Sequence, residues 1–240
     1  MIRGWFKSVG IVLLTFGYSA AAVVAGAFGG GGAAAARVMR GWGRSFIRVG
    51  GWTVTTEGAE NLPREGAILV SNHQSLVDIP LFLAAFDREI RFLAKRELGR
   101  IPVFGRSMRA AGNLFVDRDD PRDAVRVIRE AGAAMRRGEM IVIFPEGTRS
   151  GDGSIGEFKP GAFFLARKTG APLVPVYIGG GAAALPKGTF IARPASLVAR
   201  VLPPMTAAGA ALSLEEMAAE ARRRIVAARE EEARRAPAPL

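Results

Sequence analysis

Close to its start the chain carries a long stretch without charge. No charged residue occurs from Val9 to Ala36. Residues 9–28 alone are enough for roughly 30 Å of helix, so a membrane-active segment is predicted. Glycines dilute this run and residues 29–32 are all glycine, which weakens a full span, and positive charge on both flanks, Arg3 and Lys7 before it and Arg37 to Arg48 after it, favours a hairpin dipping into one leaflet. A cleaved signal peptide, with Ala20-Ala21-Ala22 as its small-residue site, is a third reading, and the apolar and small residues continuing to Ala36 count against it. A structural core helix is the fourth and is disfavoured by the length of the uncharged run. Arg37, Arg40, Arg44 and Arg48 then recur at three- and four-residue spacing, with Val38, Met39, Trp42 and Phe46 turned away from them. That pattern predicts a basic amphipathic helix lying on a lipid surface.

Beyond residue 50 the pattern changes to short apolar, β-branched runs separated by helical periodicity. Strands are predicted at 52–56, 67–71, 91–94, 113–116, 140–144, 173–178 and 197–202. Helices are predicted at 78–86, 102–110, 121–137 and 160–169, with prolines near several starts. This alternation predicts an α/β fold, a mixed and largely parallel sheet flanked by helices, with an N-terminal membrane-associated helical segment. A last helix at 213–235 begins on a capping box, Ser213 to Glu216, and ends in a charge run expected to be solvated and functionally silent. The expected division is 1–50 as membrane hairpin or anchor, 51–210 as the α/β domain, and 211–240 as C-terminal helix and Pro-Ala tail.

Composition narrows the chemistry. The chain has 33 basic against 22 acidic residues, a net +11, which favours an anionic partner. No aromatic-studded basic stretch accompanies that charge, so nucleic acid is not the expected one. With no cysteine and one histidine, disulfides, a thiolate nucleophile and a zinc site are all disfavoured, and no metal or cofactor is expected.

The single histidine, His73, follows the predicted strand 67–71, and Asp78 follows it by five residues at the start of a helix. Active sites of α/β sheets gather at such strand ends. Asp78 is placed to fold back and accept the imidazole Nδ1–H, leaving Nε2 free to take a proton from a hydroxyl. This is a base and its orienter without an enzyme nucleophile; Ser75 lacks a glycine elbow and is read as a turn or cap residue. Two more strand ends carry cations: Gly112 to Arg118, and the block Phe144-Pro145-Glu146-Gly147-Thr148-Arg149-Ser150. Together with Lys95 at the end of a third strand, Arg118 and Arg149 predict a phosphate site.

These blocks, in this order and spacing, resemble the glycerophospholipid acyltransferases typified by 1-acyl-sn-glycerol-3-phosphate acyltransferase. Asn72 to Asp78 resembles the family's N-H-x4-D motif, Gly112 to Arg118 its second, Phe144 to Ser150 its third and Val174-Pro175-Val176 its fourth. The resemblance, from about residue 52 to 178, implies acyl transfer from an acyl-CoA or acyl carrier protein thioester to the free hydroxyl of a lysophospholipid. It implies His73 as base and Asp78 as its partner, with Arg118, Glu146, Gly147 and Arg149 around the acceptor and backbone N–H groups holding the oxyanion. Glu146 either binds acceptor hydroxyls or braces an arginine. Other acceptors of the family, glycerol 3-phosphate or a lyso-ornithine lipid among them, are the alternative, and a non-enzymatic membrane-binding protein a distant one. The expected setting is a phospholipid membrane, on the cytoplasmic face of a bacterial inner membrane.

Overall fold

The computed structural model describes residues 2–28, 32–117, 120–205 and 212–235. Two antiparallel helices come first, α1 (Ile2–Phe28) and α2 (Gly32–Gly50). The alternating part follows as β1 (Thr53–Glu57), β2 (Ile68–Ser71), α3 (Asp78–Ala85), β3 (Ile90–Lys95), α4 (Phe104–Ala110) and β4 (Leu114–Val116). It continues with α5 (Pro121–Arg136), β5 (Met140–Ile143), α6 (Gly161–Thr169), β6 (Leu173–Gly179), α7 (Gly181–Ala184), β7 (Ser196–Val201) and α8 (Leu214–Arg235). Every predicted strand is present within two residues of its expected bounds. The four-residue α7 carries too little periodicity to be read from sequence.

The strands form one sheet in the order β1-β7-β6-β2-β5-β3-β4. Pairing is parallel throughout except between β6 and β7. The carboxyl ends of β6, β2, β5, β3 and β4 therefore share one edge, and this is what assembles the site. Strand periodicity builds the two cores. Leu69, Met140 and Val142 face α2 and α3, while Ile68, Val70, Ile141 and Ile143 face α5, α6 and α8.

The core runs through all three expected segments. Met39, Trp42 and Phe46 of α2 are buried in the same cluster as Leu81 and Val142, and Met217, Ala221 and Ile225 of α8 lie with Ile68 and Phe163. The apolar face of α2 is thus covered by protein, with Arg37, Arg44 and Arg48 exposed on the other side, so it is not the lipid-lying helix expected from its pattern. The charge run of α8 is likewise engaged. Arg200, buried on β7, donates to Glu57 at 2.6 Å, Glu231 at 3.3 Å and Glu232 at 3.2 Å, which clamps the helix end to the sheet.

In α1 the usual polarity is inverted. Ser8, Thr15, Tyr18 and Ser19 turn inward, Trp42 Nε1 donating to Thr15 Oγ1 at 3.1 Å and Tyr18 pairing with Ser45 at 3.0 Å. Trp5, Phe6, Val12, Leu13, Phe16, Val24 and Phe28 are exposed. The segment Gly4–Phe28 is long and apolar enough to cross a membrane, with 17% of its most apolar window buried.

Away from the site, the buried Glu139 accepts from Arg91 and Arg137. Burial pushes its carboxyl up, and the hydrogen bonds and charges of the two arginines outweigh that and hold it below the ordinary range. A carboxyl depressed in the folded state stabilises the fold above its unfolded pKa, and this contribution is lost as pH falls through the folded value. Glu139→Gln is expected to lower the urea midpoint at neutral pH and to flatten its decline toward acid. A variant whose acid limb parallels the parent's would refute this assignment.

Candidate active site

The site begins where β2 ends. Ser71 is the last strand residue, and Asn72 extends the pairing to β6 through its side chain, Nδ2 donating to Ile178 O at 2.9 Å and Oδ1 accepting Ile178 N–H at 3.0 Å. His73 then leaves the sheet. Its carbonyl accepts Ser150 N–H at 2.8 Å and its own N–H donates to Glu146 Oε1 at 2.8 Å, so the residue is pinned on both sides by the loop after β5. The imidazole stacks on Phe144, with ring centroids 4.1 Å apart and planes at 15°. Its side chain is 18% exposed.

Asp78, in the first turn of α3 and 1% exposed, places Oδ2 2.7 Å from His73 Nδ1. The same oxygen accepts the N–H groups of Gln74 at 2.6 Å and Ser75 at 2.8 Å. Three donors on one buried oxygen immobilise the carboxylate. With Nδ1–H donated to it, the remaining ring nitrogen, Nε2, is the basic one. The expected fold-back of Asp78 onto His73 is present. Ser75 is a structural residue as read, its hydroxyl donating to Leu185 O at 2.7 Å and accepting Val77 N–H at 3.3 Å.

Glu146 has both oxygens occupied by backbone donors, His73 N–H and, at 3.0 Å, Gly156 N–H. Through these bonds Glu146 anchors the backbone of the base, and the second lone pair on each oxygen leaves the expected binding of acceptor hydroxyls open to it. Burial pushes its carboxyl up, and the two backbone hydrogen bonds offset part of that rise. Glu146→Gln must turn an NH2 toward one of two N–H donors. It is expected to lower kcat by about tenfold to a hundredfold and stability by about 1–3 kcal/mol, read from turnover and urea midpoints. Full activity would show that the His73 backbone does not need this anchor.

Gly147 adopts φ +75° and its N–H donates to Phe144 O at 3.1 Å, a turn that a side chain at this position would strain. Arg149 follows it, half-buried, its carbonyl accepting Lys187 Nζ at 2.8 Å. Lys95 closes β3, exposed and in register with Val116. Adjacent strands are about 4.8 Å apart, so Lys95 stands two strands, about 10 Å, from the strand that carries His73. Arg118 lies outside the described residues. The topology brings Lys95 and the Arg149 loop to the edge that holds the His73–Asp78 pair.

Asn72 and Phe144 stand in the sequence motifs without a role that the sequence reveals, and Gly181 stands outside them; a Cβ on Gly181 would fall 2.6 Å from Asp78 Oδ1. Phe144 also lines a cavity of 380 Å³ between the sheet, α5 and α6, walled mainly by Leu93, Val127, Ile128, Ile143 and Phe164. This largely apolar cavity, which also has Asp117, Asp120 and Lys159 in its lining, was not readable from any local pattern. Among the described residues no cluster of three or more His, Cys, Asp or Glu side chains is placed to hold a metal ion.

Known proteins resemble the chain over the segment that carries this site. A family model described as Acyltransferase matches residues 53–179. The chain is 38% identical over 140 residues to "1-acyl-sn-glycerol-3-phosphate acyltransferase LPAT1, chloroplastic" of Arabidopsis thaliana, covering 58% of this chain and 39% of that one. It is 33% identical over 129 residues to "1-acyl-sn-glycerol-3-phosphate acyltransferase" of Pseudomonas aeruginosa, covering 53% of this chain and 50% of the relative. The chain thus spans between two fifths and half the length of these relatives. The crystal structure of "the 1-acyl-sn-glycerophosphate (LPA) acyltransferase, PlsC, from Thermotoga maritima" superposes with a TM-score of 0.82 at 30% identity, covering 99% of both chains. With the matched segment running from the first residue of β1 to the last of β6 and enclosing His73, Asp78 and Glu146, the chain belongs to the Acyltransferase family.

Proposed function

We propose that the chain transfers a fatty acyl group from an acyl thioester, carried by CoA or acyl carrier protein, to the free hydroxyl of 1-acyl-glycerol 3-phosphate, forming phosphatidic acid. The observation that carries the reading is the 2.7 Å His73 Nδ1 to Asp78 Oδ2 contact at a strand end, with no cysteine in the chain and the Ser75 hydroxyl committed elsewhere. A base without an enzyme nucleophile implies direct transfer. His73 Nε2 takes the proton of the acceptor hydroxyl as its oxygen bonds to the thioester carbonyl carbon. The C–S bond breaks, the imidazolium returns the proton to the leaving thiolate, and Asp78 stabilises the charged ring in between.

Lys95, Arg149 and Arg118 would meet the acceptor phosphate, and the cavity behind Phe144 would take an acyl chain. That the relatives are named 1-acyl-sn-glycerol-3-phosphate acyltransferases supports the acceptor. An acyl-transfer assay over a panel of lyso acceptors with both thioester types tests it. The highest kcat/KM is expected on 1-acyl-glycerol 3-phosphate, and a higher value on glycerol 3-phosphate or a lyso-ornithine lipid would overturn that choice.

The same reading places the protein on a phospholipid membrane, at the cytoplasmic face of a bacterial inner membrane. α1 packs along α2 and reaches from Ala192, beside Gly4, to Ala110, beside Gly26, so it lies against the domain with its apolar face outward. An in-plane helix buried in one leaflet fits that placement. Deleting residues 1–48 would remove Met39, Trp42 and Phe46 from the core, so the sounder test is Leu13→Glu with Phe16→Glu. This pair is expected to abolish co-sedimentation with phospholipid vesicles while leaving the melting temperature unchanged; undiminished co-sedimentation would count against the membrane role of α1.

A further inference from the structure

Between α7 and β7 the chain forms a loop, Lys187-Gly188-Thr189-Phe190-Ile191-Ala192-Arg193, that neither the family match nor the catalytic reading uses. Its backbone is firmly tied. Thr189 N–H donates to Pro186 O at 3.1 Å, Ala192 N–H to Ser8 Oγ at 3.1 Å and Arg193 N–H to Ala184 O at 2.9 Å, while Arg193 O accepts Trp52 Nε1 at 2.7 Å. Yet Phe190 at its tip is 69% exposed and Ile191 40%. A loop held this tightly does not expose a phenyl ring through slackness.

Its surroundings point to what covers it. The loop abuts the start of α1, where a Cβ on Gly4 would fall 3.1 Å from Ile191 Cγ2, and the neighbouring Trp5 and Phe6 are themselves exposed. Apolar tips of loop and helix therefore lie side by side. Lys187 and Arg193, both exposed, bracket the two apolar residues with no acidic residue between them. Apolar tips flanked by cations suit an anionic bilayer surface, where the rings enter the acyl boundary and the cations stay among phosphates. A protein partner would not be expected to share the stripe of α1.

We infer that residues 187–193 form a second lipid-contacting element, Phe190 and Ile191 entering the same bilayer surface as α1. The inference rests on the in-plane placement of α1. It has a consequence for the site, because Lys187 Nζ donates to Arg149 O at 2.8 Å and Leu185 O accepts the Ser75 hydroxyl at 2.7 Å. Seating the loop in lipid would hold the phosphate-facing edge at the interface where a lysophospholipid headgroup lies.

The absence of cysteine makes the test direct, since a single introduced cysteine takes one nitroxide label. Phe190→Cys, Phe16→Cys and, on the far face of the sheet, Val125→Cys would each be labelled in the full chain. Accessibility to oxygen and to a water-soluble nickel chelate would be compared with and without vesicles of phosphatidylethanolamine and phosphatidylglycerol. On adding vesicles, positions 16 and 190 are expected to become oxygen-accessible and chelate-protected, with 125 unchanged. Position 190 remaining as water-exposed as 125 while 16 enters lipid would overturn the loop's role and leave that of α1 intact. All three remaining in water would overturn both. Independently, Phe190→Asp with Ile191→Asp is expected to weaken vesicle partitioning by about tenfold; partitioning equal to the parent's would contradict the inference.

Discussion

Replacing His73 by alanine is expected to lower kcat by about three to four orders of magnitude, the range of a lost general base in a preorganised site. No other histidine exists to substitute. Fold should be little affected, because the ring is partly exposed and packs on one face of Phe144, and because Asp78 Oδ2 keeps its donors from Gln74 and Ser75. A stability loss of about 1 kcal/mol, from the vacated stack, is the expected scale. Turnover and the urea midpoint should therefore separate cleanly. A variant retaining more than a tenth of the parent's kcat would sink the direct-transfer mechanism.

Asp78→Asn is the second large effect, and the structure dictates the choice of asparagine. Alanine would strip the acceptor from two buried backbone N–H groups as well as from the imidazole, confounding lost chemistry with lost structure. Asparagine keeps an oxygen for those donors but not the negative charge that stabilises the imidazolium. A fall in kcat of about a thousandfold or more is expected, with about 1–3 kcal/mol of stability lost. KM for the acyl acceptor should change little, since Asp78 is buried behind His73. A large rise in KM with unchanged kcat would show that Asp78 shapes the binding site rather than the base.

These expectations differ in how far the sequence alone supports them. The His73–Asp78 pair was legible because both residues sit within one strand-to-helix turn, where five residues of chain set the geometry. Glu146 was visible as part of a motif, yet its partner is His73 N–H, 73 positions away. That contact exists only because β5 lies beside β2. Asn72 meets Ile178 across 106 positions for the same reason, on the other side of β2.

The two N-terminal helices show the matching limit of periodicity. An amphipathic pattern states which side of a helix is apolar, not what covers it. For α2 the cover is α1 and α3, Trp42 meeting Thr15 and Gly43 lying against Leu83, so a lipid-lying pattern describes part of the core. For α1 the run was too uniformly apolar to reveal a face, and only packing shows that its hydroxyls turn inward and its rings outward. The charge run of α8 carries no local sign of the buried arginine on β7 that engages it.

By itself, then, the sequence determined the order and type of the elements, the α/β class and the chemistry of the strand ends. Those depend on short-range steric and hydrophobic rules that act within a few residues. Strand order, the placement of the Glu146 loop against His73, the cavity beside Phe144 and the covering of the apolar face of α2 by protein were decided by tertiary structure alone. Each is a contact between segments far apart in the chain, and such contacts follow from how layers pack into one closed core rather than from any local pattern.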